Sequence, residues 1–330
     1  MKGIFIFILF ALTVHGQKRV DQTNTDLLRT HGYCIAQDRQ LDHIAETFPA
    51  LRAEVFASRS AFAKAFGPSC DVLDVLIPLE TKQELKPQID SVLSKTRPGD
   101  IEAARAFLKL VGGRAGGDIH SPVKEILLAL SPEYSKQPEE EFKSGFTRKY
   151  VARKHPKSKG VDFSIRIPFS WKFREGKRSN IVQVFNSRGL DDNAISVAVS
   201  VSRVPLFQGR KLTDEEAAYL FVKDKIRDFV QKDEQLVESG SLQIQNQPAG
   251  FIVTDSNALR SGILFYSRTL TYMIYFDGKI IYVNCIAGGL RDYEAAARKM
   301  DKFKPLFSLM VSSLAVGAEH RPAIQTKTEQ

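Results

Sequence analysis

Residue types able to do acid–base, nucleophilic or metal chemistry occur in the sequence, but their spacing does not assemble a recognisable site. The six histidines form no His-Glu-x-x-His or His-x-His motif, and no two of them lie four residues apart. No serine lies in a Gly-x-Ser-x-Gly motif, and the three cysteines lack the signature of a cysteine hydrolase. The sequence therefore predicts no catalytic residue, no metal ligand and no cofactor, and a hydrolase with a dispersed site stays open as an alternative.

One glycine-rich stretch, residues 112–117 (GGRAGG), has the composition of a phosphate-binding loop. A phosphate cradle needs a strand before the loop and a helix after it. Here the preceding residues have a helical pattern, and no lysine follows directly. We interpret the stretch as the end of a helix and a loop.

The positive charge of the chain is concentrated in one short segment. The formal net charge is +9, but residues 17–141 carry −3, residues 142–161 carry +7 and residues 162–330 carry +4. The basic segment 142–161 has two interpretations. It is an adhesive strip for anionic lipid or polysaccharide, or it is a linker that includes the first strand of a sheet, with charges solvated on one side. The candidate contacts of the strip are Arg148, Lys149, Arg153 and Lys154.

The first residues predict export. A basic start is followed by an apolar run over residues 4–14 and by small residues, which is typical of a secretory signal peptide cut after Gly16. The rival interpretation, a transmembrane anchor, needs about 20 apolar residues. We therefore expect residues 1–16 to be a signal peptide and the mature chain to be periplasmic or extracellular. Because the chain is expected to be exported, the sequence predicts no nucleic-acid partner despite the basic charge.

The cysteines are consistent with an oxidising compartment. Cys34 and Cys70 each lie beside a turn signal in the N-terminal half, and a disulfide between them would close a loop of about 35 residues. The alternative is two separate thiols. Cys285 lies in an extended pattern, where it alternates with apolar residues on one face. It is interpreted as a small buried residue rather than a nucleophile.

Residues 17–141 predict an all-helical domain. Apolar residues recur at helical spacing from Leu51 to Phe66, and the pair Gly67-Pro68 is expected to end that helix. A further helix is expected over residues 100–111, ending at Gly112-Gly113.

Residues 162–314 predict an α+β domain. Several stretches rich in β-branched residues alternate as strands do, and Asp277-Gly278 between two of them is a strong hairpin signal. A capping box at Thr213 opens a helix expected to run to about Val230, and a last helix spans residues 293–314. Strands joined by hairpins, with helices between, favour an antiparallel sheet covered by helices. Residues 315–330 are expected to be a disordered tail.

Several phrases of this second domain, taken in order, resemble the PsbP-like superfamily. They are FSIRIPFSW (163–171), ISVAVSV (195–201), the capped helix beginning TDEE, NQPAGFIVTD (246–255), the Asp-Gly hairpin and KPLFSLMVSSL (304–314). The resemblance covers about residues 145–314 and, more narrowly, points to exported bacterial proteins. It implies an α/β/α sandwich and a non-enzymatic module that binds other proteins, and it carries no catalytic residue.

Trp171, the only tryptophan, has two interpretations. It is an exposed aromatic anchor for a partner, or it fills the core of the sheet domain. Taken together, these observations predict an exported, non-enzymatic binding or accessory protein of the bacterial cell envelope, with an envelope protein as its partner. The alternative is an anionic-surface binder acting through residues 142–161.

Overall fold

The computed structural model describes residues 22–188, 195–205, 210–222, 224–260, 263–289 and 292–317. The predicted signal peptide lies outside these ranges. The chain forms two compact units, Met1–Pro132 and Glu133–Gln330. None of the helices in the described ranges combines the length and the apolar character needed to cross a bilayer.

The first unit is all-helical, as the sequence predicts. Its elements are α1 (Gln22–Thr47), a 3-10 turn (Pro49–Leu51), α2 (Arg52–Leu76), α3 (Leu79–Thr96), α4 (Ile101–Ala115) and α5 (Ser121–Ala129). Helices α1 and α2 contact each other, α2 packs on α4, and α1 also contacts α3 and α5. Helices α2 to α5 turn apolar stripes inward, with Leu73, Ile89, Val111 and Leu127 among their buried residues, whereas α1 buries Leu41 and Ile44 beside several polar side chains.

Two predicted helix ends in this unit are wrong. Helix α2 continues through Gly67 and Pro68 to Leu76, and α4 continues through Gly112 and Gly113 to Ala115. A proline removes one backbone hydrogen bond and a glycine lowers helix propensity. In α2 the buried face on both sides of the proline, including Phe66 and Leu73, outweighs that local cost.

The second unit begins with two short helices, α6 (Pro132–Lys136, reaching back across the boundary) and α7 (Glu139–Lys143). The sequence prediction placed residues up to 141 in the helical domain, whereas α7 packs on the last helix and the second strand of the sheet unit. The strands and helices that follow are β1 (Thr147–Ala152), β2 (Phe163–Pro168), β3 (Lys172–Glu175), β4 (Ile181–Asn186), β5 (Ile195–Arg203), α8 (Asp214–Tyr219), β6 (Gln235–Ile244), β7 (Gln247–Arg260), β8 (Ile263–Phe276), β9 (Lys279–Gly289), α9 (Tyr293–Ser312) and β10 (Ala315–Val316).

These strands form two sheets, and all their pairings are antiparallel. One sheet has three strands in the order β1-β2-β10, and the other has seven in the order β3-β4-β5-β9-β8-β7-β6. The predicted hairpin is confirmed between β8 and β9. Asp277 and Gly278 both have positive φ, 48° and 73°, as a two-residue turn of the primed type requires.

The seven-stranded sheet is covered on both faces. Along β8, Leu270 and Tyr272 face a core that includes α9 and the small sheet, while Met273 and Tyr275 face α8 and a 3-10 turn at Ile226–Phe229. Side chains alternate between faces along a strand, so one strand contributes to both cores. The sheet unit therefore has the predicted α+β fold, with helices on either side of an antiparallel sheet.

Two details of this unit differ from the sequence prediction. Helix α8 ends at Tyr219 rather than near Val230, and a separate 3-10 turn follows at Ile226. Ala315 and Val316, which were assigned to a disordered tail, pair with Ser164 and Phe163 of β2. Residues 318–330 lie outside the described ranges.

Candidate functional site

The basic segment contains an edge strand. Strand β1 pairs with β2 alone, from Thr147 opposite Pro168 to Ala152 opposite Phe163. The amide of Phe169 donates to the carbonyl of Phe146 at 2.9 Å. In an antiparallel pair, hydrogen-bonded and non-hydrogen-bonded residue pairs alternate, so residues 148, 150 and 152 bond to β2. The backbone groups of residues 149 and 151 therefore point away from β2, along the open edge of the sheet.

The register on β2 agrees with this assignment. Lys149 lies opposite Arg166, and the Arg166 amide donates to Ser313 Oγ at 2.9 Å instead of bonding to β1. Pro168, which has no amide hydrogen, lies opposite Thr147 at another non-hydrogen-bonded position. The open edge of β1 thus offers the amides and carbonyls of Lys149 and Val151.

The inward face of β1 is built into the unit. The Arg148 guanidinium lies 4.7 Å from the ring centres of both Phe169 and Phe173, and it donates a hydrogen bond to the carbonyl of Trp171. The Tyr150 ring packs edge-on against Phe185 at 5.4 Å. Arg148 is therefore a cation that supports the loop after β2, and it is less available to an outside anion than the sequence suggested.

The outward face carries the exposed charge. Lys149 is exposed beside the exposed Arg166, and Arg153 and Lys154 follow at the end of the strand. Within the described residues, neither Lys149 nor Lys154 has an ion-pair partner, whereas Lys157 pairs with Glu175 at 2.6 Å. Like charges directly opposite on a sheet repel each other. The structure thus adds Arg166 to the basic group. Its position beside Lys149 follows from the strand register and could not be read from the sequence.

The sheet unit buries the carboxylate of Glu141, which interacts with the charge of Arg148 on β1. Glu141 on α7 is 4% exposed. Its Oε1 accepts from the Ser170 amide at 2.8 Å and its Oε2 accepts from Ser170 Oγ at 2.7 Å. Burial raises the pKa of Glu141 to about 7, although the Ser170 hydrogen bonds and the charge of Arg148 act in the opposite direction. The run of three glutamates in the sequence contains no signal that singles out this one.

Trp171 is a core residue. Its side chain is 2% exposed and belongs to the same core as Phe163, Phe185 and Phe307. The aromatic-anchor interpretation is corrected accordingly, because a side chain with this burial has no surface to offer a partner. The proline of FSIRIPFSW ends β2, and the loop that follows turns the tryptophan inward.

The structure confirms the pairing of Cys34 with Cys70, but it places both cysteines inside helices rather than beside turns. Cys34 and Cys70 form a disulfide that joins α1 to α2, with a Cα–Cα distance of 6.2 Å. Cys285 on β9 is a buried free thiol, and burial raises its pKa well above the usual range. A thiol held protonated in this way is a poor nucleophile at neutral pH.

Among the residues that the structure describes, no group of three or more His, Cys, Asp and Glu side chains is arranged to hold a metal ion. A shallow cleft of about 120 Å³ lies at the turn between β6 and β7. Its lining residues are Ile244, Gln245, Gln247, Ile274, Phe276, Leu314 and Val316. The cleft brings no titratable side chains together.

Comparisons with known proteins place the chain only at the level of fold. No protein-family model matches the chain, and no curated protein sequence is similar to it. Among solved structures, the PsbP protein (CyanoP) of the cyanobacterium Synechocystis sp. PCC 6803 matches with 19% identity and a TM-score of 0.33. The match covers 52% of this chain and 92% of that one.

Two further solved structures each match about half of the chain. LpqN of Mycobacterium tuberculosis, described as involved in cell envelope biogenesis, has 9% identity and a TM-score of 0.33, covering 55% of this chain and 96% of LpqN. The Ran-binding protein Mog1p of Saccharomyces cerevisiae has 10% identity and a TM-score of 0.31, covering 51% and 95%. A PsbP protein, from the superfamily that the sequence resembles, is among the solved structures that match the chain.

Proposed function

We propose that this protein is an exported, non-enzymatic binding or accessory protein of the bacterial cell envelope, and that its sheet unit binds a protein partner along the edge of β1. The observation that carries the proposal is the open backbone edge at Lys149 and Val151, which lies beside exposed cations. Adding an extended segment to a sheet edge is a common mode of peptide recognition.

The edge has the geometry for strand addition. The backbone groups of Lys149 and Val151 point outward, and the strand continues for six residues from Thr147 to Ala152. Val151 is 45% exposed on the outward face. A partner strand could therefore pair with β1 and cover an apolar side chain at the same time.

Charge indicates the chemistry of the partner. Lys149 and Arg166 lie side by side on the outward face, and Arg153 and Lys154 extend the positive group. An extended segment rich in Asp and Glu would complement this edge, whereas a basic segment would be repelled. The same charges keep two copies of β1 from pairing with each other, because lysines on an edge discourage edge-to-edge association.

The edges of the larger sheet are less suited to this role. Strand β3 has only four residues, and β6 is interrupted by a bulge between Leu236 and Glu238, where Val237 is the extra residue. Bulges and short strands are common ways of blocking an edge. Strand β1 has a regular register and the exposed cations Lys149 and Arg166 beside its edge.

Two features support export. The apolar run over residues 4–14 has the pattern of a signal peptide, and disulfides such as Cys34–Cys70 are typical of oxidising compartments. The hydrolase alternative has no specific observation in its favour among the described residues.

The proposal is tested by crosslinking in the envelope fraction of producing cells. A photoreactive amino acid at position 149 should crosslink to a distinct protein, and a reactive residue at exposed position 237 on β6 is the matched control. Val151→Pro removes an outward amide without breaking a β1–β2 bond and should abolish the crosslink, whereas Val237→Pro should not. If the crosslink from position 149 forms in equal yield in the Val151→Pro and Val237→Pro variants, the edge proposal is overturned.

The anionic-surface alternative makes a different prediction. It requires salt-sensitive binding to vesicles containing phosphatidylglycerol, lost when Arg148, Lys149, Arg153 and Lys154 are replaced by Gln and unchanged by Val151→Pro. This pattern, together with the absence of a protein crosslink, would replace the proposed function by surface binding.

A further inference from the structure

The hairpin of β7 and β8 extends beyond the rest of its sheet. Strand β6 pairs with β7 only as far as Asp255, and β9 pairs with β8 only as far as Tyr266. The pairing of β7 with β8 continues to Arg260 opposite Ile263. In the described part of the chain, residues 257–260 and 263–265 therefore form a two-stranded ribbon with no further strand on either side, which we call the ribbon tip.

The ribbon tip exposes apolar side chains at its end. Leu259 is 72% exposed, Ile263 54% and Leu264 40%. Phe265 is half-buried. Large apolar side chains clustered at a projection usually mark an interaction site.

Both faces of the ribbon tip carry apolar residues, and Arg260 lies opposite Ile263 on one of them. Leu259 and Leu264 are opposite each other and lie on the face that carries α9 further along the sheet, while Ile263 and Phe265 lie on the other face. A partner that covers one face would leave the other in water. The pattern therefore suits a medium that surrounds the tip on all sides.

The base of the ribbon is polar and aromatic. Tyr266 packs edge-on against Tyr293 at 4.9 Å, and Asn257 donates to Tyr293 Oη at 2.8 Å. Immediately below, Asp255 and Arg268 form a bidentate ion pair at 2.7 and 2.8 Å. Tyrosines are enriched where a protein meets the boundary between lipid and water.

From these observations we propose that the ribbon tip inserts into the surface of a phospholipid bilayer, with the pair Tyr266 and Tyr293 at the level of the headgroups. The four residues from Asn257 to Arg260 span about 13 Å in an extended strand. The sequence between Asp255 and Arg268 has no acidic residue, and its one charge is Arg260, so nothing in the ribbon repels anionic headgroups.

Insertion is shallow for a physical reason. The outer edges of the ribbon have backbone amides and carbonyls that no neighbouring strand satisfies, and such groups are costly in the hydrocarbon core. At the headgroup boundary, water and lipid headgroups can bond to them, at a depth of about 5–10 Å. A second copy of the chain is less suitable as the occupant, because pairing two ribbons edge to edge would leave both apolar faces exposed.

The test uses the full chain with a local reporter. Residues 4–14 are apolar and would bind vesicles by themselves, so total binding is not informative. Leu264→Trp places an indole at the tip, Val237→Trp places one on exposed β6 as the matched control, and the native Trp171 is a buried background common to both. The probes are vesicles of phosphatidylethanolamine and phosphatidylglycerol, with and without brominated acyl chains.

The Leu264→Trp emission should shift to the blue on adding vesicles and be quenched by the bromines, while the Val237→Trp emission should respond to neither. In the Leu264→Trp background, Ile263→Ser with Leu259→Ser should lower the apparent vesicle affinity of the tip by about tenfold or more. Equal responses from the two tryptophan variants would overturn the proposal. A blue shift without vesicles that grows with protein concentration would also overturn it, in favour of self-association.

Discussion

The two units of this protein differ in what stabilises them. In the helical unit, the first helix buries a largely polar set of side chains: Asp26, Thr30, His31, Gln37 and Gln40. In the sheet unit, the largest core consists mainly of aliphatic and aromatic residues from the sheet, β2 and α9. Buried polar groups contribute little net stability even when they are hydrogen-bonded.

The disulfide joins the first helix to its neighbour. Cys34 is on α1 and Cys70 is on α2, so the covalent bond holds the helix with these buried polar side chains to its neighbour. The sheet unit has no described disulfide, and Cys285 is a free thiol inside its core. We therefore expect the stability of the helical unit to depend on its disulfide, and that of the sheet unit to depend on packing.

The largest expected effect is in the sheet unit. Phe307 on α9 has no exposed surface and lies in the core with Trp171. We expect Phe307→Ala to lower the free energy of unfolding of this unit by about 3–5 kcal/mol, because it leaves a cavity in a close-packed core.

Urea unfolding followed by Trp171 fluorescence measures this effect, since the only tryptophan lies in the sheet unit. Arg298→Ala, at an exposed position on the same helix, should change the free energy by less than about 0.5 kcal/mol. A Phe307→Ala variant as stable as Arg298→Ala would show that the core does not carry the stability of this unit.

The next effect is in the helical unit. Replacing Cys34 and Cys70 by Ser should destabilise that unit by about 4 kcal/mol, because the sequence separation of 36 residues corresponds to a large loss of chain entropy in the unfolded state. Circular dichroism at helical wavelengths should show an earlier transition, while the Trp171 transition should stay unchanged. Reduction of the unmodified chain should reproduce the result. A matching shift in both signals would mean that the two units unfold together.

The smallest of the three effects concerns pH. The pKa of Glu141 is raised to about 7 in the folded state, against about 4.3 in an unfolded chain. The folded state therefore binds this proton more tightly, so the contribution of Glu141 to stability is complete below about pH 4 and is lost as pH rises through 7. Glu141→Gln should remove this dependence and raise the stability of the sheet unit at pH 8 by up to about 3 kcal/mol.

The measurement is the urea midpoint by Trp171 fluorescence at pH 5 and pH 8. Glu139→Gln, on the same short helix, is the matched control and should leave the difference between the two pH values unchanged. If both glutamine variants keep the pH dependence of the unmodified chain, then another group is responsible for it, and the sheet unit does not depend on this buried carboxylate.

Local signals predicted several elements correctly. The Asp277-Gly278 turn, the capping box of Thr213 and Glu216, and the last helix all appear in the structure. These features depend on neighbouring residues: a turn needs residues that tolerate positive φ, and a helix start needs an acceptor for its free amides. The Cys34–Cys70 pairing, one of two alternatives that the sequence left open, is confirmed, although the turn signals expected beside the two cysteines lie inside α1 and α2.

Other features required contacts between distant residues. Pro68 lies inside α2 because packing on both sides holds the helix together, and Arg166 joins the basic group through its register with Lys149. Glu141 is buried, and its carboxylate accepts two hydrogen bonds from Ser170, which is 29 residues away in the sequence. No pattern within a short window distinguishes these residues from exposed neighbours of the same type.

The sequence by itself determined the order of the units, an antiparallel sheet with a hairpin at Asp277-Gly278, and the position of the basic segment. These follow from periodicity, turn chemistry and composition, which act over a few residues. Only the tertiary structure decided that Trp171 is a core residue, that β1 has an open edge at Lys149 and Val151, and that the β7–β8 ribbon projects with an apolar tip. Burial and strand neighbours depend on how distant segments meet, and that information is absent from any local pattern.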